Sequence, residues 1–423
     1  MKILWVTNLS FPEVSFELGL NKSNSGGWMH SLANNLQKRK GHELFIVSVE
    51  NINDTFRKKI KGINYAVLPT TLALYQYDKY LEEHWKKLID DVQPDIIHIH
   101  GTEYAHGLSL INSCPNENYV TSIQGLISVY SDYYFGDLSF WSIFKNITLR
   151  DIIKGDTLFQ AKNKFVKRGV YEIKYLKKIN HIIGRTTWDK AHALKNNRNA
   201  NYHYGGEQLR SMFYESKKWV PHNRGHKIIF LSQATYPIKG LHKVIEAVSF
   251  LKNEYPNLLV KVAGENITNK RTKYGIPYWG GYGKLTYSLL HKHDLVDKFQ
   301  FLGNQDERKM VANYLNCDVF VCPSSIENSP NSLAEAQILG VPCIASQVGG
   351  VSDMATHNKD ALLYRFEETA VLAFHLKTLF SDDTLVKNIS KAAIVKAQDR
   401  HDRDKITNQL IKTYAKIMSS NNS

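Results

Sequence analysis

The chain has 423 residues, which is too long for a single hydrophobic core and predicts two domains. Its 43% hydrophobic content suits a globular protein, and no apolar run approaches the ~20 residues of a membrane span. The formal charge of +14 fits a phosphorylated substrate, an anionic lipid surface or nucleic acid, but no zinc-finger, RNA-recognition or helix-turn-helix signature accompanies it, so nucleic acid is not expected as a partner.

The N-terminal apolar run is too short for a signal peptide and predicts a first strand over residues 3–7. A polar loop then ends in Ser25, Gly26 and Gly27, before a predicted helix over 28–39 and a strand over 44–48. A glycine pair at the end of a first strand lets backbone approach a phosphate closely, although the pair alone is a weak signal. The four cysteines show no metal-ligand spacing, which favours reduced thiols in a cytoplasmic protein.

Helix-like sequence over 76–92 leads into a strand over 96–100, on which His98 and His100 alternate. No third ligand stands at a suggestive spacing, so hydrogen-bonded histidines near the strand end are favoured over a metal pair, with His100 nearer to the cleft. The next predicted strand, 119–123, ends at Gln124.

Seven aromatic residues between 126 and 144 precede a stretch, 145–178, with ten basic and three acidic side chains. This order suggests a surface for an anionic membrane, and an aromatic core beneath a solvated helix explains it equally well. Residues 181–184 and 202–204 complete the first set of strands. The polar segment 215–226, with Pro and Gly, is the candidate linker.

Strands and helices alternate again from residue 228, with strands predicted over 228–232, 258–264 and 299–303, helices over 241–254 and 305–315, and a Gly/Tyr-rich loop over 275–283. The pattern in both halves predicts an α/β protein with two Rossmann-like, doubly wound domains facing each other across a cleft. The helical tail contains Asp402 and Asp404, which are favoured as a solvated helix face rather than a metal site.

The stretch 324–350 combines a predicted strand-loop-helix-strand pattern with residues suited to binding a phosphate. It follows a buried-type strand, 317–322, and predicts a helix with Ser329 as N-cap, Pro330 at the first position and Gly340 as a left-handed C-cap, before a strand over 341–345. Because Ser332 replaces a capping-box acid, three amides at the positive end of the helix dipole are predicted to be available to a phosphate, namely those of Asn331, Ser332 and Leu333.

Two carboxylates flank this helix start, Glu327 in the loop before it and Glu335 in its second turn. One can face a sugar beyond the phosphate while the other faces the ribose behind it. On spacing alone, an equally good interpretation is that Glu327 is an ordinary loop residue and Glu335 an ordinary solvated helix residue, neither of which contacts a ligand.

The segment ENSPNSLAEAQ places seven residues between Glu327 and Glu335, and GVPCIAS and VGG follow it. It resembles the E-x7-E motif of retaining GT-B glycosyltransferases, with the best match in family 4, the group 1 type that builds bacterial surface polysaccharides. The resemblance implies transfer of a hexose-type sugar from a nucleotide-diphosphate donor to a saccharide or polyprenyl-diphosphate-linked saccharide, in capsule or O-antigen type biosynthesis. It also implies peripheral attachment at the inner face of the cytoplasmic membrane.

The same resemblance implies an acceptor domain over 1–215, a nucleotide-sugar domain over 226–395 and a helix over 396–423 that crosses back to the first domain. Glu327 is expected to orient the sugar and Glu335 to hold the ribose, while Lys239 stabilises the leaving diphosphate. Further donor contacts are expected from the helix amides already named and from Gly26, Gly27 and Leu302. No metal and no other cofactor is expected, because no strand ends in Asp-x-Asp.

Two positions depart from the family pattern. Relatives usually carry a His that contacts the transferred sugar at the position of Gln124. Gln124 is therefore the third expected catalytic residue, after Glu327 and Lys239. Relatives also usually carry an Arg six residues before the Lys, where this chain has Gln233. The resemblance implies that the first change is compatible with catalysis, because in a retaining transferase the leaving phosphate can itself take the acceptor proton. The second leaves the diphosphate a neutral hydrogen bond in place of a charge. A catalytically silent partner protein and a sugar-nucleotide 2-epimerase therefore remain alternatives.

Overall fold

A computed structural model describes residues 1–20, 26–73, 75–269 and 278–420 of the chain. The loop before Gly26, including Ser25, and part of the Gly/Tyr-rich loop lie outside the described residues. The strands are β1 (Lys2–Thr7), β2 (Glu43–Glu50), β3 (Phe56–Ile60), β4 (Ile63–Pro69), β5 (Ile96–His100), β6 (Tyr119–Ser122), β7 (His181–Gly184), β8 (Asn201–Tyr204), β9 (Ile228–Leu231), β10 (Leu259–Val262), β11 (Phe299–Phe301), β12 (Val319–Cys322), β13 (Cys343–Ser346) and β14 (Leu362–Tyr364).

Helices connect most of these strands, and two short 3-10 turns lie over Pro237–Lys239 and Val296–Lys298. The α-helices are α1 (Pro12–Glu17), α2 (Gly27–Gln37), α3 (Leu81–Val92), α4 (His106–Ser113), α5 (Ile127–Tyr130), α6 (Phe140–Lys145), α7 (Leu149–Lys154), α8 (Leu158–Leu176), α9 (Thr187–Asn196), α10 (Ser211–Glu215), α11 (Leu241–Leu251), α12 (Gly281–Lys292), α13 (Glu307–Asn316), α14 (Asn331–Leu339), α15 (Val351–Met354), α16 (Thr369–Ser381), α17 (Asp383–Arg400) and α18 (Arg403–Ser420).

The chain divides into two compact units. The first comprises Met1–Tyr130, Phe165–Arg210 and His401–Ser423, and the second comprises Ser131–Lys164 and Ser211–Arg400. This division differs from the predicted boundaries, because residues 131–164 belong to the second unit and the return to the first unit comes at His401. The candidate linker is also not a free segment, since the Trp219 amide donates to the Leu339 carbonyl within the second unit.

The first unit is built on a sheet in the order β3-β4-β2-β1-β5-β6-β7-β8, parallel except for the β3–β4 hairpin. Side chains of β1 alternate between two cores: Ile3 and Trp5 face one, and Leu4 and Val6 face the other. Helix α18 joins the core of Ile3 and Trp5, and its Tyr414 hydroxyl accepts a hydrogen bond from the Trp5 indole. The C-terminal helix is therefore an integral layer of the first unit.

The second unit is built on a fully parallel sheet in the order β11-β10-β9-β12-β13-β14. Strands β9, β12 and β13 are buried along their whole length, as expected for strands covered by helices on both faces. The strand order reverses between β9 and β12, which lie side by side although about 90 residues separate them. Loops after these two strands consequently meet at the carboxyl edge of the sheet.

Most predicted strands are present within a residue or two of their predicted ends, and those over 96–100 and 181–184 match. The helix predicted to start at residue 76 begins at Leu81, because the Asp78 carboxylate accepts from the Tyr80 amide and holds a turn there. The β3–β4 hairpin was not predicted, since its first strand carries three consecutive cationic residues. Its turn, Lys61–Gly62, has positive φ at both residues.

No helix in the described part of the chain combines the length and apolar character that a membrane span requires. All four cysteines are free thiols, and three of them are buried.

Candidate active site

Two loops meet at the carboxyl edge of the second sheet. One follows β9 and contains the 3-10 turn that ends at Lys239, and the other follows β12 and contains Glu327. The Ser325 amide donates to the Ile238 carbonyl at 2.8 Å and joins the two loops directly. Gly240 has φ +67°, and a Cβ there would collide with the Pro323 carbonyl oxygen, so glycine permits this close approach.

Lys239 and Glu327 form an ion pair, with 2.6 Å between Nζ and Oε1 and side chains only 19% and 10% exposed. Burial opposes the charged ammonium, but the pKa of Lys239 is nevertheless raised because the Glu327 carboxylate lies against it. The Ser324 hydroxyl donates to the same Oε1 at 2.7 Å. Among the described residues no hydrogen bond reaches Oε2 of Glu327, so this oxygen can accept one from a ligand.

The predicted VGG segment holds the main chain of Glu327. The Gly350 amide donates to the Glu327 carbonyl at 3.0 Å. Gly349 has φ +52°, and a Cβ at this position would collide with that same carbonyl oxygen. Glycine is thus required for the loop to close over Glu327.

Helix α14 begins at Asn331, with Pro330 as N-cap and no side-chain capping bond, so the predicted Ser329 cap is wrong. The Ser329 hydroxyl instead points to the Met354 sulfur at 3.4 Å, because the proline after it keeps the chain extended for one more residue. The left-handed cap at Gly340 is confirmed by its φ of 83°.

Of the three amides predicted to be available to a phosphate at this helix start, two remain available in the structure. The Leu333 amide donates to the Pro330 carbonyl at 3.0 Å and is therefore engaged within the first turn. The amides of Asn331 and Ser332 remain at the positive end of the helix.

Glu335 is buried, and the Tyr314 hydroxyl lies 3.5 Å from its Oε2 while donating to the Ser332 carbonyl at 3.0 Å.

Two further predicted donor contacts lie after other strands of the second sheet. The Gln233 side chain is exposed after β9. At Leu302 the amide already donates to the Val262 carbonyl and the carbonyl accepts from the Gln305 side chain. The Leu302 amide is therefore not available to a nucleotide base, whereas its carbonyl oxygen can accept a second hydrogen bond.

The remaining predicted site residues lie in the first unit. Gly26 is the left-handed N-cap of α2, with φ +78°, and Gly27 is its first residue. Gln124 follows β6, and the guanidinium of Arg185 donates to its carbonyl at 2.9 Å. Sequence reasoning missed Arg185, which forms a buried ion pair with Glu207, although its position directly after β7 was a usable signal.

A pocket in the first unit lies at the carboxyl ends of its central strands. Strand register places His100 beside Ser122, and side chains of α2 and α18 close the pocket. The principal lining residues come from the ends of three strands and from two helices: Trp28, His98, His100, Gln124, Arg185 and Gln409.

The two histidines of β5 differ sharply. His98 Nδ1 contacts the Tyr414 hydroxyl at 2.5 Å and Nε2 contacts Ser122 Oγ at 2.6 Å, so the prediction of a hydrogen-bonded histidine is confirmed for it. For His100 it is wrong, because neither buried ring nitrogen has a hydrogen-bond partner in the described part of the chain. Burial lowers the pKa of His100 to about 3, so the ring is neutral and offers one donor and one acceptor.

Within the described ranges, no group of three or more His, Cys, Asp or Glu side chains is arranged to hold a metal ion.

Residues 213–396 match the family model described as glycosyl transferases group 1. The chain is 27% identical over 206 residues to the uncharacterized glycosyltransferase YqgM of Bacillus subtilis, covering 49% of this chain and 54% of the relative. It is 29% identical over 184 residues to the N,N'-diacetylbacillosaminyl-diphospho-undecaprenol alpha-1,3-N-acetylgalactosaminyltransferase of Campylobacter jejuni, covering 43% of each. The chain thus spans about half of the length of the first relative and 43% of the length of the second.

Solved structures match over nearly the whole chain. Sucrose-phosphate synthase from Thermosynechococcus elongatus has a TM-score of 0.69 at 14% identity, covering 99% of this chain and 100% of that chain. HepE from Anabaena in complex with UDP-glucose has a TM-score of 0.65 at 14% identity, covering 98% and 100%. The protein therefore has the GT-B fold of glycosyltransferases, with two Rossmann-like domains. Over residues 213–396 the chain is thus similar to the glycosyl transferases of group 1.

Proposed function

We propose that the protein is a retaining, family 4 glycosyltransferase that moves a hexose-type sugar from a nucleotide-diphosphate donor to a saccharide acceptor. The observation that carries the proposal is the Lys239–Glu327 pair, locked beside the start of α14 where the order of the second sheet reverses. Ligands of open α/β sheets bind at such a switch point. A cation, a carboxylate and a helix N-terminus together suit a diphosphate with a sugar attached.

The donor is proposed to bind through its diphosphate to Lys239 and to the amides of Asn331 and Ser332. The complex of HepE with UDP-glucose supports a nucleotide sugar as the ligand of this fold. Glu335 is proposed to hold the ribose. Gln233 adds a neutral hydrogen bond, and Leu302 can offer the base only its carbonyl oxygen.

In the proposed reaction the bond between the sugar C1 and the diphosphate oxygen breaks, and a bond from C1 to the acceptor oxygen forms on the same face. The proton of the acceptor hydroxyl passes to the leaving diphosphate, so no side-chain base is required. Lys239 stabilises the charge that develops on the diphosphate, which is commonly the largest catalytic contribution in such sites. Glu327 Oε2 accepts a hydrogen bond from a sugar hydroxyl and fixes the orientation of the ring.

The acceptor is proposed to bind the pocket of the first unit. The neutral His100 ring presents an unused donor and acceptor there, and Trp28 and Gln124 supply an aromatic surface and an amide. Such groups suit the hydroxyls and the ring face of a sugar. The name of the Campylobacter relative contains a diphospho-undecaprenol-linked sugar, which supports a polyprenyl-diphosphate-linked acceptor. A role in capsule or O-antigen type biosynthesis is proposed from the family resemblance of the motif around Glu327.

The test is a panel of nucleoside diphosphates and their sugars, read by thermal shift and by release of nucleoside diphosphate with and without a saccharide acceptor. A true donor at ~100 times its dissociation constant is expected to add about 2.7 kcal/mol of stability. Release that depends on acceptor supports the proposal. Binding without turnover would indicate a silent partner protein, and turnover of the donor sugar without any acceptor would indicate an epimerase.

Metal independence is part of the proposal, because Lys239 and the start of α14 take the position of a cation at the diphosphate. Transfer is expected to persist in EDTA. Loss of turnover in EDTA that Mg²⁺ or Mn²⁺ restores would contradict this part.

A further inference from the structure

Helices α6 and α7 of the second unit present an unusual concentration of exposed apolar side chains. Six large residues within 14 positions are between 54% and 76% exposed: Phe140, Trp141, Phe144, Leu149, Ile152 and Ile153. We call these residues the α6–α7 apolar surface. Soluble proteins rarely expose such clusters without a binding function.

The three aromatic residues of α6 form one continuous patch. Phe140 stacks on Phe144 with ring centroids 6.1 Å apart, and the Trp141 ring meets Phe140 at 5.5 Å and Phe144 at 6.2 Å. On α7, Ile152 and Ile153 lie three and four residues after Leu149, so both are its neighbours on one side of the helix. Each helix therefore carries an apolar face.

These faces point outward from helices that are firmly anchored. Ile143 is the buried residue of α6, and Asp151 is the buried residue of α7. Asp151 completes a capping box with Thr148, and one of its oxygens accepts from the Gly281 amide at 2.7 Å. The Thr148 hydroxyl donates to the Trp279 carbonyl at 3.1 Å. The apolar surface is thus displayed by a fixed scaffold.

Cations border the surface. Lys145 ends α6 and Lys154 ends α7, both are exposed, and neither has a carboxylate within ion-pair distance among the described residues. Lys154 Nζ lies 5.2 Å from the centre of the Tyr278 ring. By contrast, the half-buried Arg168 of the predicted basic stretch donates to the Glu103 carbonyl and covers the Tyr104 ring, so its guanidinium is engaged within the first unit.

We propose that the α6–α7 apolar surface docks onto a bilayer with anionic headgroups, with the aromatic and aliphatic side chains inserted at the headgroup level and Lys145 and Lys154 at the phosphates. A second copy of the chain would bring these lysines against one another in a protein of formal charge +14, whereas an anionic bilayer complements them. Short helices with an apolar face and flanking lysines bind an interface without spanning it.

The inference rests on the proposed function in one respect, namely that a lipid-linked acceptor would bring the enzyme to a membrane. The experiment is co-sedimentation of the full chain, without donor or acceptor, with vesicles of phosphatidylcholine alone or with phosphatidylglycerol added, at low and high salt. Binding is expected to require the anionic lipid and to weaken as salt rises. Because no sugar ligand is present, vesicle binding can succeed where sugar transfer fails, and the reverse.

The matched variants are Trp141→Ala/Ile153→Ala and, as a control, Phe250→Ala/Phe374→Ala, whose two side chains are equally exposed on α11 and α16. The first pair is expected to lower vesicle affinity by roughly tenfold or more, because apolar area no longer enters the bilayer, and the control pair to leave it unchanged. Lys145→Gln/Lys154→Gln keeps the apolar surface and is expected to lower affinity for anionic vesicles on the order of tenfold. This last variant also decides the matter if the first pair fails to fold.

Recovery of the parent protein in the supernatant under all conditions overturns the proposal, as does equal vesicle binding by all variants. Sedimentation velocity gives an independent reading. A parent dimer that Trp141→Ala/Ile153→Ala converts to a monomer, without vesicle binding by the parent, would assign the surface to a second copy instead.

Discussion

Lys239 Nζ lies 2.6 Å from Glu327 Oε1 although 88 positions separate the two residues. The pair joins the loops after β9 and β12, and the same carboxylate oxygen also accepts from Ser324. The roles expected for the two residues, diphosphate binding and sugar orientation, are therefore not independent. A ligand that draws Lys239 towards a phosphate also changes the hydrogen bonds of Glu327.

The first prediction separates these roles. Glu327→Gln is expected to lower sugar transfer by roughly 100-fold or more while nucleoside diphosphate affinity stays nearly intact, because Lys239 remains to meet the phosphate. Lys239→Met is expected to weaken nucleoside diphosphate binding by about tenfold or more, the effect of losing a charged hydrogen bond. Calorimetric titration and initial transfer rates measure the two effects.

The control is Lys243→Met, since Lys243 is a neighbouring buried lysine whose own carboxylate partner, Asp137, lies 2.7 Å away. It is expected to leave nucleoside diphosphate affinity unchanged. If Glu327→Gln and Lys239→Met transfer sugar like the parent, the assignment of the active site is wrong.

A second prediction concerns the ribose. Glu335→Ala is expected to weaken nucleotide binding by ~1–3 kcal/mol, because a buried hydrogen-bond partner is lost. Tyr314→Phe removes the hydroxyl that bonds the Ser332 carbonyl and approaches Glu335, and it is expected to have a smaller effect of the same sign. Titration with nucleoside diphosphate checks both. Unchanged affinity in Glu335→Ala would exclude a ribose contact.

A third prediction tests the glycine that closes over Glu327. Gly349→Ala must displace the Glu327 carbonyl and also adopt a positive φ, so it is expected to lower both transfer rate and stability. Gly41→Ala is the control, because Gly41 has φ +85° with no atom within 4 Å of a new Cβ. It is expected to lose only about 1–2 kcal/mol of stability, the backbone cost, with transfer unchanged. Equal transfer by both variants would contradict the requirement.

A fourth prediction compares the two histidines of β5. His98→Leu removes a ring with two bonded nitrogens and leaves Tyr414 and Ser122 without that partner, so it is expected to be destabilising by ~1–3 kcal/mol. His100→Leu removes two unpartnered buried nitrogens and is expected to be neutral or stabilising, but to weaken acceptor binding. Denaturant unfolding and acceptor titration measure these effects. Equal destabilisation by both variants would indicate an undetected partner of His100.

A fifth prediction follows from the same ring. The folded pKa of His100, about 3, lies below the ordinary value of 6.5, so below pH 6.5 the unfolded chain binds more protons than the folded chain. Protonation of His100 in the unfolded chain therefore has no effect on stability well above pH 6.5 and lowers stability progressively as the pH falls below it. The loss of stability reaches about 3 kcal/mol at pH 4, at 1.36 kcal/mol per pKa unit. Denaturant unfolding between pH 4 and 8 should show a flatter acid slope for His100→Leu than for the parent. Equal slopes would contradict the shift.

Much of the fold was predictable because its signals are local. Strands covered on both faces are rich in buried β-branched residues, and the isoleucines of the strands over 96–100 and 181–184 marked both of them. Gly340 was recognisable as a helix end because few other residues adopt a positive φ without strain. The β3–β4 hairpin was not predicted because its edge strand is charged and exposed, so it lacks the alternation of apolar and polar residues that marks a strand.

The sequence by itself determined the order of strands and helices, the glycosyltransferase-like motif around Glu327 and the candidacy of Lys239, since these depend on neighbours along the chain. Only the tertiary structure decided that the two side chains touch, that Gly240 and Gly349 permit it, that Pro330 rather than Ser329 caps α14, and that His100 lacks the partners that His98 has. Each of these facts depends on which strand lies beside which. Pairing of β9 with β12, or of β5 with β6, arises from burial of whole strands and helices against one another, and no short stretch of sequence records it.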